Sequence, residues 1–235
     1  MLRDPSTYDF PGGELLLFDK APGWTSFDVV NYLRGALSRH CGVKRLKVGH
    51  AGTLDPMASG LLLVCTGRFT KRIDEFQGMD KTYTGTLRLG QTTPSFDAET
   101  PPDAEYPWEH LTEARLHDAA KAFEGPQQQV PPLYSAIHIQ GQRAYTLARK
   151  GGDDVPVLEP RPVHIHAFEL SRIALPEVDF FLRCSKGTYV RSLARDLGIA
   201  LESGAYLSAL RRTAIGPYTV DKAMDVKDFL SRFAH

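Results

Sequence analysis

A chain of 235 residues, 42% hydrophobic and 24% charged, can bury a sizeable core as one large domain or two small ones, which excludes an intrinsically disordered protein. Its apolar runs, such as 15–18 and 61–64, fall far short of the roughly 20 residues of a membrane helix, and the N-terminus MLRDPSTYDFPGG lacks the apolar centre of a secretory signal. A soluble, cytoplasmic protein is expected.

In chain order, 15–18 reads as a short strand, and the turn KAPG at 20–23 leads into a helix over about 27–39. Thr25 or Ser26 would cap it, with Phe27, Val30, Leu33 and Leu37 on one face. A basic, glycine-rich loop follows over 41–60, then a buried strand at 61–65 and a short helix at 68–76. Residues 82–89 alternate one by one, as a strand does. The proline- and acid-rich stretch 94–108 reads as a surface loop, 112–123 as a helix, 133–139 as a strand and 143–150 as a basic helix ended by Gly151 and Gly152. Strands at 162–173 and 178–185 and a helix at about 189–200 complete the list. There is no regular βαβ alternation, so an α+β fold with a mixed, mostly antiparallel sheet flanked by helices is expected, and no linker divides residues 1–235.

The net charge is zero, yet the charges are segregated. Arg34, Arg39, Lys44, Arg45 and Lys47 lie between Asp28 and Asp55 with no acid among them, and Arg183, Lys186, Arg191 and Arg195 form a second basic stretch. A polyanion is steered by local potential, so one basic face remains possible despite the neutral sum. Cys41, Cys65 and Cys184 are odd in number and widely spaced, which suggests free thiols and neither a disulfide framework nor a zinc site.

The chain has no GxGxxG after a strand, no GxxxxGK[ST], no HExxH and no GxSxG, so nucleotide-cofactor, P-loop, zincin and esterase chemistries lack their cradles, ligands or nucleophile. His164 and His166 face one side of a strand but have no third ligand nearby, and no metal site is expected. The informative stretch is GHAGTLDPMASGLL at 49–62. Its glycines let the backbone approach a ligand, and Pro56 biases Asp55 towards an extended conformation, which would hold one carboxylate on a rigid turn. Taken alone, Asp55-Pro56 reads more readily as turn chemistry or a helix cap.

That motif resembles the catalytic motif of TruB-type pseudouridine synthases. The resemblance continues in register through Lys71, KTY at 81–83, PPLYSA at 131–136, SKGTYVRSLARD at 185–196 and LSALRR at 207–212, covering about 14–225. It implies the pseudouridine synthase fold as a single catalytic domain and isomerisation of one uridine, position 55, in the T-arm loop of tRNA. No cofactor and no metal is implied. By the same resemblance Asp55 is the catalytic carboxylate, and Arg191 is the cation that keeps it ionised in a desolvated pocket. Tyr83 stacks on the target base, Tyr189 lines its pocket and Leu210 supplies an apolar wall. His50 contacts nucleotides displaced when the uridine flips out. Lys20, Arg143, Lys150 and the basic 34–47 segment would hold phosphates of the tRNA T stem-loop. The expected partner is tRNA alone, with no membrane and no obligate protein, for a monomer.

The chain departs from the family pattern twice. Only about ten residues follow Asp225, too few for the C-terminal PUA domain that many members carry, and no glycine follows shortly after Asp97. Two other readings of the residues stay open: a non-catalytic RNA-binding module, and a nucleosidase or glycosidase. The last would ordinarily show a second carboxylate about 5–9 Å from the first, and no second acid accompanies Asp55 in a recognisable motif.

Overall fold

The structure, a computed structural model, describes residues 4–134, 138–139, 142–143 and 158–233. In chain order the elements begin with β1 (Leu15–Lys20), α1 (Ser26–His40), β2 (Val48–His50), β3 (Ser59–Thr66), α2 (Ile73–Gln77) and β4 (Lys81–Leu89). There follow β5 (Gln91–Thr92), β6 (Ala104–Glu105), α3 (Glu113–Ala122), β7 (Gly125–Gln129), β8 (His138–Ile139) and β9 (Gln142–Arg143). The chain continues with β10 (Arg161–Ala174), β11 (Glu177–Cys184), α4 (Val190–Ala200), β12 (Ala205–Ile215), β13 (Tyr218–Thr219) and α5 (Val226–Ser231). Two compact units result, one formed by Met1–Tyr83 with Leu210–His235 and the other by Thr84–Ala209.

In the first unit β3 is the organising strand. It pairs antiparallel with β1 and β2, and parallel with β12 at Arg211↔Ser59 and Arg212↔Gly60. From Gly60 to Thr66 every residue is buried, because alternate side chains enter two cores. Leu62 and Val64 join Phe18, Val30, Leu33, Leu37 and Phe229, whereas Leu61, Leu63 and Cys65 pack with Phe76 and Ile215. The continuous apolar run predicted as a buried strand is this element. Gly60 is required there: its φ is +105°, and a Cβ would lie 2.2 Å from the Arg212 carbonyl oxygen.

Helix α1 starts where the sequence placed it. Thr25 accepts from Asp28 N–H while the Asp28 carboxylate accepts from Thr25 N–H, a complete capping box. One expectation is corrected: Phe27 points to solvent, 60% exposed. The buried positions are Ser26, Val29, Val30, Leu33 and Leu37, and the inward place beside the cap goes to Ser26, whose hydroxyl is needed by the neighbouring loop. The 41–60 segment is likewise not all loop, since Val48–His50 adds a short strand to β3.

In the second unit the long strand β10 pairs antiparallel with β11 on one side and β7 on the other, and α3, capped by Thr112, packs against β10. Helix α4 buries Val190, Leu193, Ala194 and Leu197. Both units are α+β, and the parallel β3–β12 pair among antiparallel neighbours makes the sheet mixed, as expected.

Three further expectations change. The 94–108 segment is not simply a surface loop, because Ser95 and Asp97 are fully buried and β6 pairs with β5. Residues 133–134 form a bend rather than strand, although 138–139 is strand and pairs with Gln142–Arg143. Arg143 therefore does not open a helix; the rest of that predicted helix, Lys150 included, lies outside the described residues. Strands β7 and β12 and helix α5 were not anticipated.

Candidate active site

Strand β2 delivers the chain to a loop over 51–58, and β3 takes it away. The entry is fixed by Ala51 N–H donating to the Leu63 carbonyl at 2.9 Å. Inside the loop, Leu54 is pinned from both sides by Ser26 of α1: its N–H donates to Ser26 Oγ (2.8 Å), and the hydroxyl donates to the Leu54 carbonyl (3.2 Å). The Asp55 carbonyl accepts from Ala58 N–H at 3.1 Å and the Pro56 carbonyl from Gly23 N–H at 2.8 Å. Asp55 is half-buried on this anchored turn.

Beneath it lies Lys20. A phosphate-holding lysine would stand at the surface, but this one is fully buried, with Nζ donating to the carbonyls of Trp24 (2.6 Å), Ala21 (3.0 Å) and Pro56 (3.5 Å). Burial pushes its ammonium down to about 8, against the opposing pull of the Asp55 carboxylate; Arg212 adds repulsion. The electrostatic coupling places Lys20 and Asp55 in one charge cluster. His50, the last residue of β2, is half-buried, and burial followed by the charge of Arg212 lowers its pKa, which favours the neutral ring. Its Nδ1 has no hydrogen-bond partner among the described residues. Tyr83 on β4 and Leu210 on β12 are both nearly buried, at 8% and 7% exposed.

In the second unit Tyr189 is the N-cap residue of α4, and Gln129 clamps its backbone: Tyr189 N–H donates to Gln129 Oε1 at 2.7 Å and Gln129 Nε2 donates to the Tyr189 carbonyl at 3.1 Å. Arg191 sits in the first helical turn, where the helix dipole disfavours a cation, and it is 4% exposed. Its Nε stands 3.4 Å from Asp97 Oδ2, while its Nη atoms donate to the carbonyls of Ser95 (3.2 Å) and Tyr134 (2.9 Å). Asp97 is in turn held by Ser95 Oγ (2.6 Å) and Glu99 N–H (3.0 Å), on a turn whose left-handed residue is Phe96, φ 61°, and not a glycine. Sequence reasoning missed Asp97; the only local signal was a carboxylate flanked by Thr93 and Ser95, which reads equally well as ordinary turn chemistry.

The basic residues of the second half of α1 and of the segment that follows it share a surface. Arg34, Arg39, Lys44 and Arg45 line an open cleft of about 590 Å³ with no acid in its wall. Arg45, Lys47, Arg68 and Lys71 line a second of about 360 Å³. The rings of His164 and His166 lie 4.7 Å apart, tilted by 43°, but no group of His, Cys, Asp and Glu fit to hold a metal occurs among the described residues. No helix among them is long and apolar enough to cross a membrane.

Residues 39–190 match the model of the TruB family pseudouridylate synthase N-terminal domain, and 191–235 that of the tRNA pseudouridylate synthase B C-terminal domain. The chain belongs to the TruB family. It is 52% identical to the tRNA pseudouridine synthase B of Parabacteroides distasonis over 95% of this chain and 96% of that one. It is also 52% identical to that of Flavobacterium johnsoniae, over 92% and 94%. Among solved structures, a chain of a Cbf5-Nop10-Gar1 complex is similar with TM-score 0.70 and 27% identity, covering 94% of this chain and 54% of that one. The TruB chain thus spans about half of that longer protein. As a TruB enzyme it is an isomerase that converts uridine to pseudouridine in tRNA.

Proposed function

We propose that the enzyme acts on the T-arm uridine at position 55 and that Asp55 is its catalytic carboxylate. The observation that carries this reading is the anchoring of the 51–58 loop, which presents one half-buried aspartate next to a buried lysine. Isomerisation breaks the C1′–N1 bond, turns the uracil and joins C1′ to C5 with no net redox change. A single carboxylate is sufficient, because it can attack C1′ or remove the 2′ proton, and either step stabilises an electron-poor sugar carbon as glycosidase carboxylates do. The Lys20 charge favours the ionised form that both roles require.

The uridine of a folded T loop is stacked and must be flipped out, at a cost of a few kcal/mol. The half-buried, neutral ring of His50 suits contact with the displaced nucleotides, and Tyr83 suits stacking on the base. Leu210 suits an apolar wall for the uracil; in the second unit, the family resemblance gives Tyr189 a place against the base and Arg191, its side chain held by Asp97, the role of a cation. The clefts at 34–47 and 68–71 take phosphates and position the RNA without reading its sequence. In this reading residues 1–235 act as one catalytic domain, a monomer in the cytoplasm with tRNA as its partner, and the chemistry calls for neither metal nor organic cofactor. Tritium release from a tRNA transcript labelled at uridine C5 tests it directly, since only substitution at C5 frees the label. Release from the T arm that Asp55→Asn abolishes is expected; release unaffected by that substitution would disprove the assignment.

A further inference from the structure

Five successive carbonyls of the loop, from Gly52 to Pro56, have donors, and two of the five are served by one side chain from β12. Arg212 is 1% exposed. Its Nη2 donates to the Gly52 carbonyl (3.1 Å), its Nη1 to the Thr53 carbonyl (3.4 Å) and its Nε to the Leu61 carbonyl (2.8 Å). The planar fork therefore bridges the stem that enters the loop and the stem that leaves it, with Asp55 between the two. Its hydrogen-bond partners among the described residues are all main-chain oxygens.

Burying a guanidinium against neutral carbonyls is expensive, and an apolar side chain of similar size would fill the space at lower cost. A planar array of fixed donors holds the carbonyls of the two segments in one rigid geometry, which a flexible ammonium does not impose. The surroundings are shaped to admit it: Gly52 and Gly60 both have φ +105°, and the Gly60 backbone lies so close to that of Arg212 that no Cβ fits between them.

We propose that Arg212 is a positioning residue for the isomerisation, setting the height and direction of the Asp55 carboxylate by clamping both stems of its loop. The inference rests on Asp55 being the catalytic carboxylate. The charge of Arg212 is also felt by His50 and by Lys20, so its influence extends through the cluster around the loop. Because a displacement of about 1 Å can cost about a hundredfold in rate, a positioning residue is read out in kcat more than in KM.

The test uses Arg212→Lys, which keeps the charge but not the fork, and Arg212→Gln, which loses the charge, with Asp55→Asn as control, in the tritium-release assay on a tRNA transcript. Both Arg212 variants are expected to lose about a hundredfold or more in kcat with KM within about threefold of wild type, and lysine is not expected to rescue. Arg212→Lys with kcat within about threefold of wild type, or a loss confined to KM, overturns the inference. If both variants fail to fold by circular dichroism, Ser26→Ala carries the test. It frees the next carbonyl, Leu54, so a kcat loss of about tenfold at unchanged Tm supports loop positioning and wild-type kcat overturns it. An active Asp55→Asn would instead bring down the reading on which the inference stands.

Discussion

Arg191 and Asp97 form an ion pair inside the second unit, Nε to Oδ2 3.4 Å, with side chains 5% and 0% exposed. Charges so buried are costly unless matched, and removing one partner of such a pair typically costs about 3 kcal/mol or more. Asp97→Asn keeps the shape and removes the charge, so Tm should fall by roughly 6–12 °C for a chain of this size. Activity should fall too, because the guanidinium loses the carboxylate that fixes its direction. A Tm within about 2 °C of wild type would show that the pair contributes little.

Asp55→Asn should behave differently. The residue is half-buried on a loop held through its main chain, so the substitution should leave Tm nearly unchanged and RNA binding intact while turnover falls by at least about 10⁴. Residual turnover above about a tenth of wild type would refute the role.

How much of this was legible beforehand depended on whether the cause was local. The Thr25 cap, the strand at 61–65 and the carboxylate on the GTLDP turn follow from neighbouring residues. Phe27 was misplaced because helical periodicity gives the inward position to the larger apolar group, whereas Ser26 holds it by bonding a loop distant in sequence. Asp97 was illegible for the same reason: its partner lies on α4, far along the chain. Lys20 was expected to hold phosphate and not to be buried, since the carbonyls that accept its hydrogen bonds come together only when the turn after β1 closes on the 51–58 loop.

The basic clefts make a prediction about salt. If Arg45, which lines both clefts, contacts one phosphate, Arg45→Gln should flatten the slope of log K against log salt by about 0.7–0.9 and leave kcat unchanged. Measured with Asp55→Asn from about 50 to 200 mM salt, an isolated T-arm hairpin and full-length tRNA should give slopes within about one unit of each other. A full-length slope steeper by about three would mean that recognition extends well beyond the T arm.

The last prediction concerns pH. The Lys20 ammonium is held at about 8, below its ordinary 10.5, because burial penalises the charge more than Asp55 restores it. Below about 8 both the folded and unfolded chains carry this proton; between about 8 and 10.5 the folded chain has released it while the unfolded chain keeps it. The unfolded state then binds more protons, so this group makes stability rise with pH across that window and fall back as pH is lowered through about 8. Activity should move the opposite way. If the ammonium supports the ionised Asp55 and the pose of its loop, kcat should decline as pH rises through about 8. Lys20→Arg, whose charge persists, should lose that limb on the same RNA, which separates it from any titration of the substrate. Lys20→Met should be slow at every pH and show no limb. A wild-type kcat that stays flat to about pH 9.5 would mean that the Lys20 charge takes no part in the reaction.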